Sequence, residues 1–252
     1  MLPFNIPQNL VDALRQATAV AVLTGAGISA ESGVPTFREA QTGLWAQYDP
    51  QELATPEAFR RNPKLVWEWY AWRRELVAQA APNPGHHALA QMAYHVPRLT
   101  LITQNVDGLH QAAGSQHPIE LHGNLSRIKC FDEDVVVAQW ADTGEVPPRC
   151  PRCGGPLRPD VVWFGENLPH AAWQQAAAAA RACQVFFSIG TSALVQPAAS
   201  LPLDALENGA LVVEINPQPT PLTHYVDLSL RGPAGEVLPA LVEATWAADK
   251  SR

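Results

Sequence analysis

Short continuous runs of apolar residues alternate along this chain with longer stretches that have helical spacing. Buried parallel strands are predicted over four of these runs, at 19–24, 99–104, 185–190 and 210–215, with an edge strand at 225–230. Helices are predicted at 8–17, 64–80, 85–95, 171–183 and 234–245. This alternation predicts an α/β fold with a doubly wound parallel sheet, whose ligand site lies at the carboxyl ends of the strands.

Two segments interrupt the alternation. Residues 31–80 hold a loop and helices without a strand, and residues 125–160 are rich in Pro, Cys and acidic residues. We expect both to pack together as a small inserted lobe that forms a binding cleft with the sheet. The predicted large domain comprises 1–30, 82–124 and 161–252, and the predicted small domain comprises 31–81 and 125–160.

Composition narrows the class of protein. Of the 252 residues, 47% are apolar and 16% are charged, so the chain can bury a sizeable core. The formal net charge of −7 disfavours nucleic acid or anionic lipid as the main partner. There is no apolar run long enough to span a bilayer and no basic-then-apolar leader pattern. We therefore expect a cytoplasmic protein.

A glycine-rich turn follows the first predicted strand. The run Gly25-Ala26-Gly27-Ile28-Ser29-Ala30 matches the G-x-G-x-x-G/A fingerprint of dinucleotide sites, although an ordinary strand-to-helix turn can carry the same pattern. The acidic residue that usually binds the adenosine ribose about 20 residues later is missing. That region instead carries Phe37 and Arg38. This pattern favours a nucleotide that is bent or consumed over one that shuttles hydride.

Polar residues stand at the ends of the other predicted strands. Asn105 and Asp107 can bind an amide and ribose hydroxyls there, or cap the next helix. His122 ends a short strand and is a candidate base, although a lone His is more often structural. Two further strands end in small or polar residues that suit a ribose or phosphate, at Gly190-Thr191-Ser192 and Glu214-Ile215-Asn216.

Together these residues resemble the sirtuins, a family of NAD-dependent protein lysine deacylases. Six runs in family order carry the resemblance: GAGISAESGVPTFR at 25–38, TQNVDGLH at 103–110, ELHGNL at 120–125, VVWFGENLP at 161–169, GTS at 190–192 and EIN at 214–216. The resemblance implies a Rossmann-like large domain and a small lobe made of the helical insertion and a Cys-containing, zinc-ribbon-like insertion. NAD and an acylated lysine of a protein substrate would enter the cleft from opposite sides.

The resemblance also implies roles for the matched residues. His122 would be the general base, and Asn105 and Asp107 would bind the ribose and nicotinamide at the catalytic centre. The cofactor would be held by Gly25, Ala26, Gly27, Ala30, Thr36, Phe37, Arg38, Gln104, Asn105, Val106, Asp107, Gly190, Thr191, Ser192, Asn216 and Ala234. The substrate backbone would pair as an added strand with a segment that also lines the lysine tunnel, formed by Val161, Trp163, Phe164 and Gly165.

The implied reaction consumes NAD. The acyl oxygen would attack the ribose C1′ as nicotinamide leaves, and a ribose hydroxyl deprotonated by His122 would then attack the resulting imidate. The products would be free lysine, nicotinamide and O-acyl-ADP-ribose. The alternatives are a mono-ADP-ribosyltransferase that uses another nucleophile and a non-catalytic sensor of NAD or ADP-ribose.

The family's small lobe usually holds a zinc ion on two Cys-x-x-Cys pairs, and here the sequence departs from that pattern. Cys150 and Cys153 supply one pair, but the other is Cys130 with Glu133 where the fourth Cys would stand. Zinc accepts a carboxylate oxygen, so these four residues are candidate ligands. Other candidate oxygen ligands are Asp132 and Asp134. The alternative is a lobe held by packing alone.

The helix predicted at 64–80 carries a candidate receptor for the acyl group. Tyr70 and Arg73 are three residues apart and so share a face, although spacing alone does not choose Arg73 over Arg74. In the sirtuin branch that removes succinyl, malonyl and glutaryl groups, a Tyr-x-x-Arg here binds the acyl carboxylate, and Ala54 would leave room for a longer chain. The resemblance therefore implies a preference for acidic acyl groups, with acetyl as a poorer substrate. The predicted apolar stripe beside the pair is Leu65, Trp69, Trp72 and Leu76.

Overall fold

A six-stranded parallel sheet forms the centre of the structure, a computed structural model that describes residues 4–34 and 48–247. The strands are β1 (Ala19–Thr24), β2 (Arg98–Thr103), β3 (Ile119–Glu120), β4 (Gly123–Cys130), β5 (Leu157–Val161), β6 (Val185–Ile189), β7 (Leu211–Ile215) and β8 (Leu228–Leu230). The α-helices are α1 (Gln8–Gln16), α2 (Pro50–Leu53), α3 (Pro56–Arg61), α4 (Pro63–Ala78), α5 (Pro84–Met92), α6 (Leu109–Ala112), α7 (His170–Ala182), α8 (Leu201–Glu207) and α9 (Ala234–Trp246).

The strand order of the central sheet is β3-β2-β1-β6-β7-β8. Chain order reverses direction at β1, which pairs with β2 on one side and with β6 on the other. One apolar cluster covers each face of the sheet, and β1 and β6 are buried along their whole lengths. The predicted doubly wound sheet is confirmed. Such a sheet places its ligand crevice at the carboxyl ends of the strands beside this reversal, here β2, β1, β6 and β7.

A separate two-stranded antiparallel sheet consists of β4 and β5. One apolar cluster joins it to α2, α3 and α4, through residues such as Phe59, Tyr70, Leu125 and Trp163. The helical and Cys-containing segments therefore pack against each other. The sheet extends slightly beyond 125–160, because Gly123 pairs with Val161. The domain boundaries given above stay a prediction.

Polar caps fix the starts of α4, which carries Tyr70 and Arg73, and of α5. The Asn62 side chain accepts a hydrogen bond from the backbone N–H of Leu65 at the start of α4, and Pro63 takes the first position of the helix. The Asn83 side chain accepts a hydrogen bond from the Gly85 N–H at the start of α5, and the Asn83 backbone N–H donates to Nδ1 of His86 in a capping box.

The buried face of α4 differs from the prediction. Its fully buried residues are Val66, Trp69 and Tyr70, spaced as i, i+3 and i+4. Of the predicted stripe, Trp69 is fully buried, Leu65 and Trp72 are partly buried against the same apolar cluster, and Leu76 lies outside that cluster. The buried face is determined by the contacts of the helix with β4 and β5, and these contacts cannot be recognised from the sequence of the helix alone. Among the described helices, none combines the length and apolar character needed to span a bilayer.

Candidate active site

The carboxyl ends of β1 and β6 approach each other so closely that only glycine fits. The Gly27 N–H donates to the carbonyl oxygen of Gly190 over 2.8 Å. A Cβ on Gly27 would lie 2.7 Å from the Gly190 Cα, and a Cβ on Gly190 would lie 2.5 Å from the Ile28 nitrogen. Gly25 is equally constrained, since its Cβ would lie 2.8 Å from the Gly190 oxygen. The glycines of the fingerprint therefore bring the turn after β1 against the end of β6.

Ser29 lies at the centre of a hydrogen-bond network at this edge. Its hydroxyl donates to Oδ2 of Asp107 over 2.8 Å and accepts from Nδ2 of Asn105 over 3.1 Å. The same amide nitrogen of Asn105 donates to the Gly25 carbonyl oxygen over 3.1 Å. Within the described part of the chain, the side-chain oxygen of Asn105 makes no hydrogen bond. It is thus available to accept one from a ligand.

Both carboxylate oxygens of Asp107 accept hydrogen bonds from other residues of the chain. Its Oδ1 accepts from the Leu109 backbone N–H over 2.9 Å at the start of α6, while Oδ2 receives Ser29. Burial raises the pKa of this carboxyl, although its hydrogen bonds oppose the shift. The contact of Asp107 at the start of α6 is thus observed, whereas ligand binding by this residue stays a prediction.

His122 lies just after β3, and its ring is fixed by the adjacent strand end. Its Nδ1 is 2.9 Å from the carbonyl oxygen of Gln104. A carbonyl oxygen only accepts, so Nδ1 carries the hydrogen and Nε2 carries the lone pair. Burial lowers the pKa of His122 from its usual 6.5. The ring is consequently a neutral base with one defined tautomer at neutral pH.

Two further histidines are buried behind Ser29. Nε2 of His86 lies 3.4 Å from the Ser29 hydroxyl, and Nε2 of His110 lies 2.9 Å from the Thr24 hydroxyl. The two rings are 4.9 Å apart. Burial lowers the pKa of His86 to about 4 and of His110 to about 3, so both rings are neutral at neutral pH.

The ends of β6 and β7 form the other side of the crevice. The side-chain amide of Asn216 donates to the Thr191 carbonyl oxygen over 2.8 Å, which joins the two strand ends. Ala234 begins α9, and the next N–H, of Gly235, donates to Glu31 over 2.7 Å. Glu31 thus ties the loop after β1 to the last helix. Ser192 is exposed beside Thr191.

The remaining predicted cofactor residues lie at the same edge or outside the described residues. Ala26 and Ala30 each begin a short helical turn after β1, and Gln104 and Val106 flank Asn105. The residues outside the described ranges are Thr36, Phe37 and Arg38. Together, the glycine turn and the amide, hydroxyl and carboxylate groups of four neighbouring strand ends have the donors and acceptors that a dinucleotide requires.

The predicted substrate segment runs from the end of β5 across the small sheet. Val161 pairs with Gly123, and the Phe164 N–H donates to the Ala54 carbonyl oxygen over 2.9 Å. Trp163 is 1% exposed, whereas Phe164 is 44% exposed. Gly165 follows with a φ of +87°, a left-handed conformation that favours glycine. Phe164 therefore presents a solvent-accessible aromatic side chain beside a buried one.

Tyr70 lies next to this segment, and Arg73 follows it three residues later on α4. The Tyr70 hydroxyl accepts a hydrogen bond from Nε1 of Trp163 over 2.9 Å, and burial raises its pKa to about 12. The Arg73 guanidinium lies 5.1 Å from the Trp69 ring centroid, and burial lowers its pKa although Tyr70 opposes the shift. Arg74 instead lies over Trp67, at 5.0 Å. Of the two arginines, it is Arg73 whose charge acts on Tyr70.

Four side chains of types that can bind a metal ion converge beside the small sheet. One ligand atom each from Cys130, Glu133, Cys150 and Cys153 lies within 4.8 Å of the others. Three thiolates and one carboxylate form a donor set that zinc accepts in tetrahedral geometry. The two aspartates weighed as alternatives are outside this group, and Asp134 pairs with Lys129 over 2.6 Å. The residues present therefore fit a zinc ion.

Sequence reasoning missed several groups that shape this site. Ser29 lies inside a quoted run, but its contacts with Asn105 and Asp107 join residues 76 and 78 positions apart. Arg158 is 2% exposed and forms an ion pair with Glu166. The spacing of these two residues along the chain does not predict this contact. The one available signal was that Ser29 and Glu166 fall within motif runs.

Residues 25–197 match the model of the Sir2 family. The chain belongs to the Sir2 family. This Sir2 protein is 53% identical over 243 residues to an NAD-dependent protein deacylase of Methylococcus capsulatus, across 93% of this chain and 95% of that relative. The family resemblance inferred from the six runs is confirmed.

Solved structures of Sir2 proteins share this fold. A Sir2 homolog–NAD complex superposes with a TM-score of 0.88 at 44% identity, covering 98% of this chain and 97% of the other. A Sir2 protein bound to an acetylated peptide superposes with a TM-score of 0.84 at 30% identity, covering 94% and 97%. The Rossmann-like fold predicted for this Sir2 protein is therefore confirmed.

Proposed function

We propose that this Sir2 protein is an NAD-dependent protein lysine deacylase that prefers acidic acyl groups such as succinyl and malonyl. The observation that carries the deacylase function is the neutral His122 ring, fixed on the Gln104 carbonyl at the edge where the Ser29, Asn105 and Asp107 network lies. The similarity to an NAD-dependent deacylase and to Sir2 complexes with NAD and with an acetylated peptide supports the same function.

Different residues of the chain bind NAD and transfer the proton in this reaction. Asn105, with its free side-chain oxygen, holds the nicotinamide or ribose end of NAD, and Ser29 and Asp107 fix the orientation of that amide. Bound NAD supplies the electrophilic ribose carbon that accepts the acyl oxygen. His122 takes a proton from a ribose hydroxyl at Nε2 and returns it later, because its pKa lies below neutral pH.

Other residues bind the substrate backbone or stabilise the small lobe. Phe164 and its neighbours pair with the substrate backbone as an added strand. Such pairing binds mainly through main-chain hydrogen bonds, so it can accept many protein substrates. Cys130, Glu133, Cys150 and Cys153 would hold a zinc ion, which would stabilise the small lobe.

The acyl preference rests on Tyr70 and Arg73. Burial disfavours the charge of the Arg73 guanidinium, as its lowered pKa indicates, and a substrate carboxylate offsets that cost. Tyr70 stays protonated and donates a hydrogen bond, because its pKa is about 12. A carboxylate that meets a guanidinium and a phenol together is bound through two charge-assisted contacts.

Peptides that differ only in the acyl group test this preference. We expect kcat/KM with NAD to be higher for the succinyl-lysine and malonyl-lysine forms of one peptide than for the acetyl-lysine form. Equal values, or a higher value for the acetyl form, would overturn the acidic preference while leaving the deacylase function in place.

A further inference from the structure

Trp163 connects the substrate segment to the tyrosine of the acyl site. Its indole Nε1 donates to the Tyr70 hydroxyl over 2.9 Å, and the two side chains are 1% and 2% exposed. An indole N–H is a donor only, so this contact fills one acceptor position of the phenol. The hydrogen of the Tyr70 hydroxyl cannot be donated back to Trp163.

The hydroxyl hydrogen of Tyr70 is therefore directed elsewhere. A phenol has one hydrogen, and the structure gives the Tyr70 hydroxyl no second hydrogen-bond partner in 4–34 or 48–247. The incoming N–H of Trp163 restricts the rotation of the O–H bond to the remaining directions. This leaves one donor prepared for a group that the protein itself does not supply.

The indole of Trp163 is itself held in place. The Arg158 guanidinium lies 3.1 Å from the centre of the Trp163 ring and forms an ion pair with Glu166. The Glu166 carboxylate also accepts the Trp163 backbone N–H over 2.8 Å, so one carboxylate fixes both the backbone and the cation above the ring. Phe59 closes the cluster, with its ring 5.3 Å from that of Trp163.

We propose that Trp163 is a positioning residue for acyl specificity, whose indole N–H directs the single hydroxyl hydrogen of Tyr70 toward the carboxylate of an acidic acyl group. This role rests on the proposed acidic preference and adds to the position of Trp163 beside the lysine tunnel. An acetyl group has no acceptor at that place, so the orientation of the Tyr70 hydroxyl matters only for the acidic substrates.

A double-mutant cycle tests the coupling directly. Trp163→Phe removes the N–H and keeps an aromatic ring, and Tyr70→Phe removes the hydroxyl that it orients. We expect Trp163→Phe to lower the ratio of kcat/KM for succinyl-lysine to that for acetyl-lysine by about twofold to tenfold, mainly through the KM of the succinyl peptide. In the Tyr70→Phe background, the same substitution should leave the ratio unchanged.

Two further variants make the result specific. Benzothienylalanine in place of Trp163 keeps the bicyclic shape but lacks the N–H, and it should lower the ratio as Trp163→Phe does even if that variant folds poorly. Trp67→Phe is the matched control, since Trp67 lies on α4 under Arg74 and against the metal-ligand cluster rather than against Tyr70. We expect Trp67→Phe to keep the wild-type ratio.

The possible outcomes separate the two proposals. Equal losses on both peptides for Trp163→Phe and the benzothienyl variant, or losses that add to those of Tyr70→Phe, would overturn the role of Trp163. A wild-type ratio that favours succinyl, together with a loss in Tyr70→Phe alone, would keep the acidic preference and reject the positioning role. No succinyl preference in the wild type would overturn both.

Discussion

The His122 ring combines two properties that a general base needs at neutral pH. Burial keeps it neutral, and the Gln104 carbonyl fixes its hydrogen on Nδ1, which leaves Nε2 to accept a proton. The hydrogen bond to Gln104 favours the protonated form, but burial is the larger effect. The ring is thus a weak base in a fixed orientation.

Replacing this ring should separate catalysis from binding. His122→Ala should fold and bind NAD but lose deacylation by about 100-fold to 10,000-fold, the usual contribution of a general base. Single-turnover assays and NAD titration of the same preparation measure both properties. Turnover close to that of the wild type would remove His122 from the mechanism.

The pH profile should report the same residue. Because the pKa of His122 lies below 6.5, the base is neutral above that pH and becomes protonated as the pH falls through its pKa. We expect kcat/KM to be constant from about pH 7 to 8 and to decline only at lower pH. A decline with a midpoint at or above pH 7 would contradict the direction of the shift.

Arg73 and Arg74 offer a matched pair for the acyl site. Arg73→Met should weaken desuccinylation by about 2–5 kcal/mol in transition-state free energy, because the substrate carboxylate would be buried without its partner. Deacetylation should change far less. Arg74→Met, which removes the neighbouring guanidinium over Trp67, should leave the ratio of the two activities near its wild-type value.

Tyr70→Phe should act in the same direction as Arg73→Met with a smaller loss, about 1.5–3 kcal/mol for a hydrogen bond to a charged group. Equal losses on succinyl and acetyl peptides in Arg73→Met would mean that Arg73 supports the fold or the cofactor.

At the residue scale, motif positions could be predicted from the sequence but their partners could not. Asn105, Asp107 and His122 stand where strands end, and a strand end can be recognised from local pattern. The Ser29 hydroxyl and the Arg158 guanidinium act through residues brought close only by the fold. Local periodicity also missed Val66 and Tyr70 on the buried face of α4, since the position of that face depends on the sheet that the helix contacts.

At the element scale, the β4–β5 sheet depends on the segment between its strands. Cys130 ends β4, while Cys150 and Cys153 lie just before β5, so a metal ion would close the loop that joins the two strands. At the end of the sheet near these ligands, a small apolar cluster packs among the described residues, formed by residues such as Ile128, Val137 and Leu157. Metal binding should therefore contribute directly to the stability of the lobe.

Metal analysis and thermal unfolding test this contribution. The purified protein should contain close to one equivalent of zinc, and a chelator should lower its Tm. Glu133→Gln should weaken zinc retention during dialysis, whereas Asp134→Asn, which alters only the carboxylate paired with Lys129, should not. A metal-free protein with an unchanged Tm would show that packing alone holds the lobe.

The elements that could be predicted are those whose burial is uniform. Strand β1 was predicted with its bounds, and β2, β6 and β7 to within a residue at each end, because parallel strands covered on both faces are continuous apolar runs. Strands β4 and β5 were missed, since their sequences mix charged residues, Pro and Cys. The short helix α8 was missed as well, because seven residues give little periodicity.

At the scale of the whole molecule, the two proposed binding regions meet at His122. The Ser29 network and the ends of β6 and β7 lie on the side of the central sheet, whereas Tyr70 and Trp163 belong to the cluster of the small sheet. His122 joins them, because its backbone carbonyl accepts the Val162 N–H over 2.9 Å while its ring contacts Gln104 after β2. The base thus stands between the nucleotide side and the substrate side.

Coupled product formation tests the deacylase function most directly. The purified protein, NAD and a succinyl-lysine peptide should yield nicotinamide and free lysine peptide in a ratio of about one to one, with the acyl group recovered on ADP-ribose. His122→Ala should suppress the release of free lysine peptide. If the protein binds NAD without releasing nicotinamide, it is a sensor. If it releases nicotinamide and labels protein without freeing lysine, it is a mono-ADP-ribosyltransferase. Either result would contradict the deacylase function.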